Sequence, residues 1–109
     1  MPFDEVLAAR ARTLLSKHVG ITEMEAFGGL GFLLHGNMCC GVHGRELIVR
    51  VGAERTDDAL AQPHAHVFDL TGRAMKGWVL VRPEGLNDDG TLAKWVRMGV
   101  EFAAKLPKK

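Results

Sequence analysis

Residues 30–51, LGFLLHGNMCCGVHGRELIVRV, decide the fold. They hold three largely apolar runs, Leu30–His35, Met38–His43 and Glu46–Val51, separated by Gly36-Asn37 and by a turn at His43-Gly44-Arg45. Apolar runs of about four to eight residues between glycine turns read as strands, and Gly-Asn is a two-residue hairpin signal. Strands joined this closely pair antiparallel, because a parallel neighbour needs a crossover of roughly a dozen residues.

The flanks extend the pattern. Ile21–Phe27 reads as a weaker strand ended by Gly28-Gly29. Ahead of it the spacing predicts a helix from about Pro2 to Lys17. Pro2 suits its first position, Asp4 and Glu5 suit its positive end, and Phe3, Leu7, Ala11, Leu14 and His18 form its stripe. On the other side, Ala53–Gln62 reads as a short helix stopped by Pro63, and His66–Leu70 with Lys76–Val81 as a hairpin across Thr71-Gly72-Arg73-Ala74. A last helix runs from about Asp89 to Leu106. Leu92, Trp95, Val96, Gly99, Phe102, Ala103 and Leu106 line one face of it, and Lys94, Arg97, Glu101 and Lys105 the other. The order α-β-β-β-β-α-β-β-α predicts an α+β fold, an antiparallel sheet with helices packed mainly on one face. Its β-α-β segment either carries a parallel pair or leads to a sheet edge. No repeat or linker divides the chain, so residues 1–109 read as a single domain.

Composition closes off several functions. The chain is 47% hydrophobic and 25% charged, ordinary values for a globular domain with one core. Residues 1–55 are neutral and residues 56–109 carry +1, so no basic arm exists and direct nucleic-acid binding is not expected. No apolar run approaches the ~18–20 residues of a membrane helix, and the N-terminus lacks the pattern of a signal peptide. Cys39 and Cys40 are neighbours in sequence. Their Cα atoms lie about 3.8 Å apart, whereas a relaxed disulfide needs roughly 4.4–6.8 Å. A reduced, cytoplasmic protein without a membrane partner is the expectation.

Zinc-type ligands cluster at His35, Cys39, Cys40 and His43. A turn at Gly36-Asn37 sets His35 opposite Met38 and Leu34 opposite Cys39. One face then holds Leu30, Phe32, Leu34, Cys39 and His43, and the other Leu33, His35, Met38, Cys40 and Val42. Each face receives one cysteine and one histidine, and only His35 and Cys40 approach as diagonal neighbours. His64 and His66 share a strand face and could chelate with Asp69 or Glu84. Paired histidines at a strand entry are more often solvated or hydrogen-bonded, so no metal and no cofactor is assigned.

Catalysis has little material. Ser16, the only serine, has no nucleophile elbow around it. The cysteines lie in a strand rather than at a helix N-terminus, where a thiol becomes reactive. Asp4, Glu5, Asp57, Asp58, Asp88 and Asp89 fall at helix termini or turns, where capping explains them. Gly31 and Gly36 have the Walker spacing, but Asn37-Met38 replace its Lys and Ser/Thr. Gly28-Gly29-Leu30-Gly31 lacks the last glycine of a dinucleotide fingerprint. No catalytic residue is assigned. Arg50, Lys76, Trp78 and Arg82 remain, and Lys76 and Arg82 are expected to share a strand face with Trp78. This set reads as the polar rim of an interface rather than a base-stacking platform.

Several pieces occur together in order: Phe27-Gly28-Gly29, Gly36–Val42, Leu47–Gly52 with Arg50-Val51-Gly52, and Gly72-Arg73-Ala74-Met75-Lys76-Gly77, before the Trp95 helix. Over residues 4–106 the chain resembles the N-terminal domain of the TfoX/Sxy family of bacterial competence regulators. The motif residues are Phe27, Gly28, Gly29, Arg50, Gly52, Gly72, Arg73, Met75, Lys76 and Gly77. Met24-Glu25-Ala26 stand where a basic pair and a methionine often precede F-G-G. The resemblance implies a small antiparallel sandwich similar to secretion-chaperone-like folds, a homodimer, and regulation of transcription through a protein partner. It also implies a stand-alone domain, since the chain stops at Lys109 short of the family's C-terminal domain. The expectation is a non-enzymatic interaction and regulatory module with an unknown partner. The alternative is a small metal- or thiol-dependent binding protein or enzyme using the Cys39-Cys40 hairpin and its histidines.

Overall fold

Asp4 sets where the first helix begins. Its carboxylate accepts the backbone N–H groups of Val6 and Leu7 at 2.9 and 3.2 Å, an N-cap that fixes α1 as Glu5–Leu15. The computed structural model describes residues 3–26, 28–69 and 72–109; Pro2, Phe27, Leu70 and Thr71 lie outside the described residues. α1 buries Leu7, Ala8, Ala11 and Leu15. His18, expected to close the apolar stripe, is exposed because the helix ends at Leu15, before its turn is reached.

Six strands follow: β1 (Ile21–Ala26), β2 (Gly29–Leu34), β3 (Asn37–His43), β4 (Glu46–Arg50), β5 (Ala65–Val67) and β6 (Trp78–Val81). They form one sheet in the order β1-β2-β3-β4-β6-β5, antiparallel throughout. A 3-10 turn (Ala53–Arg55) and α2 (Thr56–Leu60) carry the chain from β4 to the edge strand β5, so the β-α-β segment makes no parallel pair. β5 and β6 are shorter than expected. The segment between them folds back on itself, with the Met75 N–H donating to the Phe68 carbonyl at 2.9 Å.

The β2–β3 hairpin departs from the expected register twice. Leu34 pairs with Asn37, so the turn residues are His35 and Gly36, at φ +50° and +86°. Two left-handed residues make a type I′ turn, the geometry that matches strand twist. Gly36-Asn37 is therefore one residue too late, and Asn37 is a paired strand residue whose side-chain amide donates to the Pro107 carbonyl at 2.8 Å. Further along, Leu33 pairs with Met38 but Phe32 with Cys40, leaving Cys39 as the extra residue of a β-bulge. The bulge cancels the alternation that would send the two cysteines to opposite faces. Both are fully buried in the core under the helices.

α3 (Asp89–Ala104) lies across that core, capped by Asp88, whose carboxylate accepts the Thr91 N–H at 2.9 Å. It buries Leu92, Trp95, Val96, Gly99, Val100 and Ala103, while Phe102 and Leu106 are only half-buried. A methyl group at Gly99 would lie 2.2 Å from the Cys39 carbonyl oxygen, so the helix backbone touches β3 at the bulge. The helices pack on one face of the sheet, and their joint core includes Phe32, Val42, Val49, Val79 and Val81. On the other face, Phe68 covers Ile48 and Leu80, with Met38, Met75 and Trp78 around them. No helix among the described residues is long and apolar enough to cross a membrane.

Candidate interaction surface

The cysteine–histidine cluster comes apart in three dimensions. The Cys39 thiol sits 3.4 Å from the Phe32 carbonyl oxygen and 3.9 Å from Cys40 Sγ, and both sulfurs are free. The neighbouring Cys39 side chain and complete burial together push the Cys40 thiol well above the usual range. The Cys40 side chain draws Cys39 down, against burial. Neither thiol reaches solvent, so the thiol-dependent alternative lacks an accessible nucleophile. His35 stands in the turn, its ring against Gly20, far along the strand from Cys40. His43 faces Glu46 across the β3–β4 pair.

His64 and His66 do not form a pair either. His64 precedes β5 at φ +68°, outside the strand alternation that would put both rings on one face, and it packs against Gly85. His66 lies within β5, its Nε2 2.5 Å from Glu46 Oε1. Among the described residues, no group of three or more His, Cys, Asp or Glu side chains is placed to hold a metal ion.

The basic and aromatic residues assemble more closely. Arg50 and Trp78 are directly paired across β4 and β6. The Arg50 guanidinium carbon lies 5.1 Å from the Trp78 ring centroid and 5.3 Å from that of Phe102, a cation between two aromatic faces. Trp78 in turn meets Phe68 at 5.7 Å, tilted by 43°. Phe102 belongs to this row because Gly52 lies beneath it: a methyl at Gly52, where φ is +88°, would sit 2.6 Å from the ring. Helical periodicity assigned Phe102 to the core, since a glycine just after β4 leaves no mark in the pattern of α3.

The motif residues Gly52 and Gly77 meet here as well. The Gly77 carbonyl accepts the Val51 and Gly52 N–H groups at 2.8 and 3.0 Å. The buried Thr56 hydroxyl donates to the Gly52 carbonyl at 2.9 Å and accepts the Gly77 N–H at 2.8 Å. Thr56 is a site residue that sequence reasoning missed, because a threonine opening a helix is ordinarily a solvent-facing cap. A hollow of about 360 Å³ opens beside Phe102, lined by Gly52, Ala53, Arg55 and Lys105 among others. Lys76 and Arg82 are exposed but lie outside β6, before Trp78 and after Val81, so the shared strand face expected for them does not form. Gly72 and Arg73 are exposed, and Met75 is half-buried against the Ile48, Phe68 and Leu80 cluster. Gly28 is exposed at φ +72°, and at Gly29 the β2 and β3 backbones approach too closely for a side chain.

Toward β1 the open face carries Met24, 49% exposed, with half-buried Leu33 and Met38. The Met38 methyl lies over the paired glycines Gly31 and Gly41. Apolar area of this kind, continuous with an Arg–Trp row, is the composition of an interface centre.

Compared with known protein families, residues 13–103 match the model of the TfoX N-terminal domain. No curated protein and no solved structure matches the chain.

Proposed function

Because the chain belongs to the TfoX N-terminal domain family, we propose that it is a non-enzymatic, cytoplasmic interaction module with a regulatory role. It works as a homodimer and acts through a protein partner, with transcriptional or competence control as the process that the family suggests. The comparison with secretion-chaperone-like sandwiches belongs to the same reading, in which an uncovered sheet face meets the partner.

One observation supports this most. Phe68, Trp78, Arg50 and Phe102 form a continuous row at the end of the sheet, with Trp78 and Arg50 half-buried. Tryptophan and arginine are the side chains that most often carry binding energy at protein interfaces. Lys76, exposed two residues before Trp78, adds a neighbouring charge.

Native mass spectrometry of protein purified without chelator or added metal tests the reading. A dimer at the bare sequence mass is expected, with a stoichiometric protein partner retained from the native lysate. A monomer that retains no partner overturns it. A bound zinc ion or small molecule would move the assignment toward the alternative class.

A further inference from the structure

Among the described residues, Arg50 is the only arginine that is half-buried and has no carboxylate within ion-pair distance. The others are exposed or, like Arg10, paired with an acid. Partial burial of a guanidinium is unfavourable unless its N–H groups find acceptors. The hydrogen bond from Arg50 Nη1 to the Met38 carbonyl is long, 3.4 Å. Trp78 and Phe102 cover the faces of the guanidinium plane, and apart from that one long bond its N–H edge is left open to solvent.

A cation held between two rings, with its N–H edge open to solvent, is organised in advance for a planar acceptor. A carboxylate is such an acceptor, taking two parallel N–H···O bonds from the fork. The side chain is ordered before the ligand arrives, which removes part of the usual entropic cost of binding. Nearby charge agrees. Glu101 is occupied by Arg55 at 3.6 Å, and Lys105 adds a second cation at the hollow beside Phe102, against Glu54. A polyanionic nucleic acid fits less well, because the chain carries only +1 and no basic stripe.

We propose that Arg50 receives a side-chain carboxylate from an acidic segment of a protein partner. Trp78 and Phe102 hold the guanidinium, and Lys105 contributes the neighbouring positive charge. This rests on the interaction-module reading and names the chemistry of its partner.

The test is an NMR titration of the ¹⁵N-labelled full chain with an end-blocked peptide of alternating glutamate and alanine. The matched glutamine peptide and an oligouridylate serve as the other arms. The expected result is a saturable shift of the Arg50 Nε–H and Trp78 indole N–H signals with the glutamate peptide alone. Arg50→Met, which fills the slot without charge, should weaken binding by about tenfold or more. Arg50→Lys, which keeps the charge but loses the fork, should lose most of the same affinity. Absence of a saturable shift in the wild type overturns the proposal, as do equal binding of the two peptides, equal binding by Arg50→Met, or tighter binding of the oligouridylate. The wild-type titration does not depend on any variant folding. Mass spectrometry separates the two ideas: a dimer with a retained partner but no peptide shift removes the Arg50 site and leaves the module standing. A peptide shift on a monomer that retains no partner does the reverse.

Discussion

Thr56 shows how much one hydroxyl can hold. It is buried, and its two hydrogen bonds join the Gly52 carbonyl to the Gly77 N–H, the two left-handed glycines beneath the Arg50 row. Thr56→Val keeps the shape and removes both bonds, leaving the buried Gly77 N–H unpaired while the Gly52 carbonyl keeps the Arg55 N–H. It should cost about 1–3 kcal/mol, read from the urea midpoint, while Thr56→Ser should recover most of that loss. Gly99 makes the opposite point, since its importance is the atom it lacks. Gly99→Ala places a methyl 2.2 Å from the Cys39 carbonyl oxygen. Relief requires α3 to move off the bulge, with an expected loss of about 1–3 kcal/mol by thermal or chemical unfolding.

At the scale of elements, α1 and β1 are joined by Arg12 and Glu23. Arg12 Nε and Nη2 donate to the two Glu23 carboxylate oxygens at 2.6 and 2.9 Å. This hydrogen bonding by Arg12 holds the Glu23 carboxyl below the usual range, against a smaller desolvation effect. A lowered folded-state value contributes stability above the unfolded value and loses it as pH falls through the folded one. Glu23→Gln should therefore be less stable than wild type near neutrality, by about 0.5 kcal/mol because the pair is exposed. The difference should begin to shrink as pH falls below the ordinary glutamate value of about 4.3 and be gone once it has passed the lowered folded-state value, followed by urea titrations across pH. β1 is also an edge strand whose outer backbone groups are unpaired, and the charges of Glu23 and Glu25 discourage uncontrolled pairing there. Glu25→Val should raise light scattering at increasing concentration.

The elements also show what was legible in the sequence. Their order was, because short glycine turns between apolar runs allow few alternatives to an antiparallel sheet. The hairpin register was not. A type I′ turn beginning at a histidine, φ +50°, carries a weaker signal than Gly-Asn one residue later. The bulge at Cys39 lies against α3 at Gly99, a long-range contact that local pattern does not encode. Of the candidate site, the pairing of Arg50 with Trp78 could be approached from strand faces. Phe102 and Thr56 joined it only through long-range contacts.

For the whole molecule, burial of both thiols under the helix layer makes them reporters of global opening. Neither Cys39 nor Cys40 should react with iodoacetamide in the folded protein, and both should become reactive in one transition that coincides with loss of circular dichroism. Labelling of either cysteine well below that transition would mean that α3 detaches alone.

The position of α3 has another consequence, for synthesis. The helix that covers β2, β3 and β4 is encoded after all of them. A nascent chain therefore completes its strands while Phe32, Val42 and Val49 still lack their cover, and the lid leaves the ribosome after them. At about 5–20 residues per second, the bare sheet persists for a second or more, long enough for chaperone capture. Ribosome-bound chains arrested before Asp89 should be held by such factors, and chains extended to free the whole of α3 should be released.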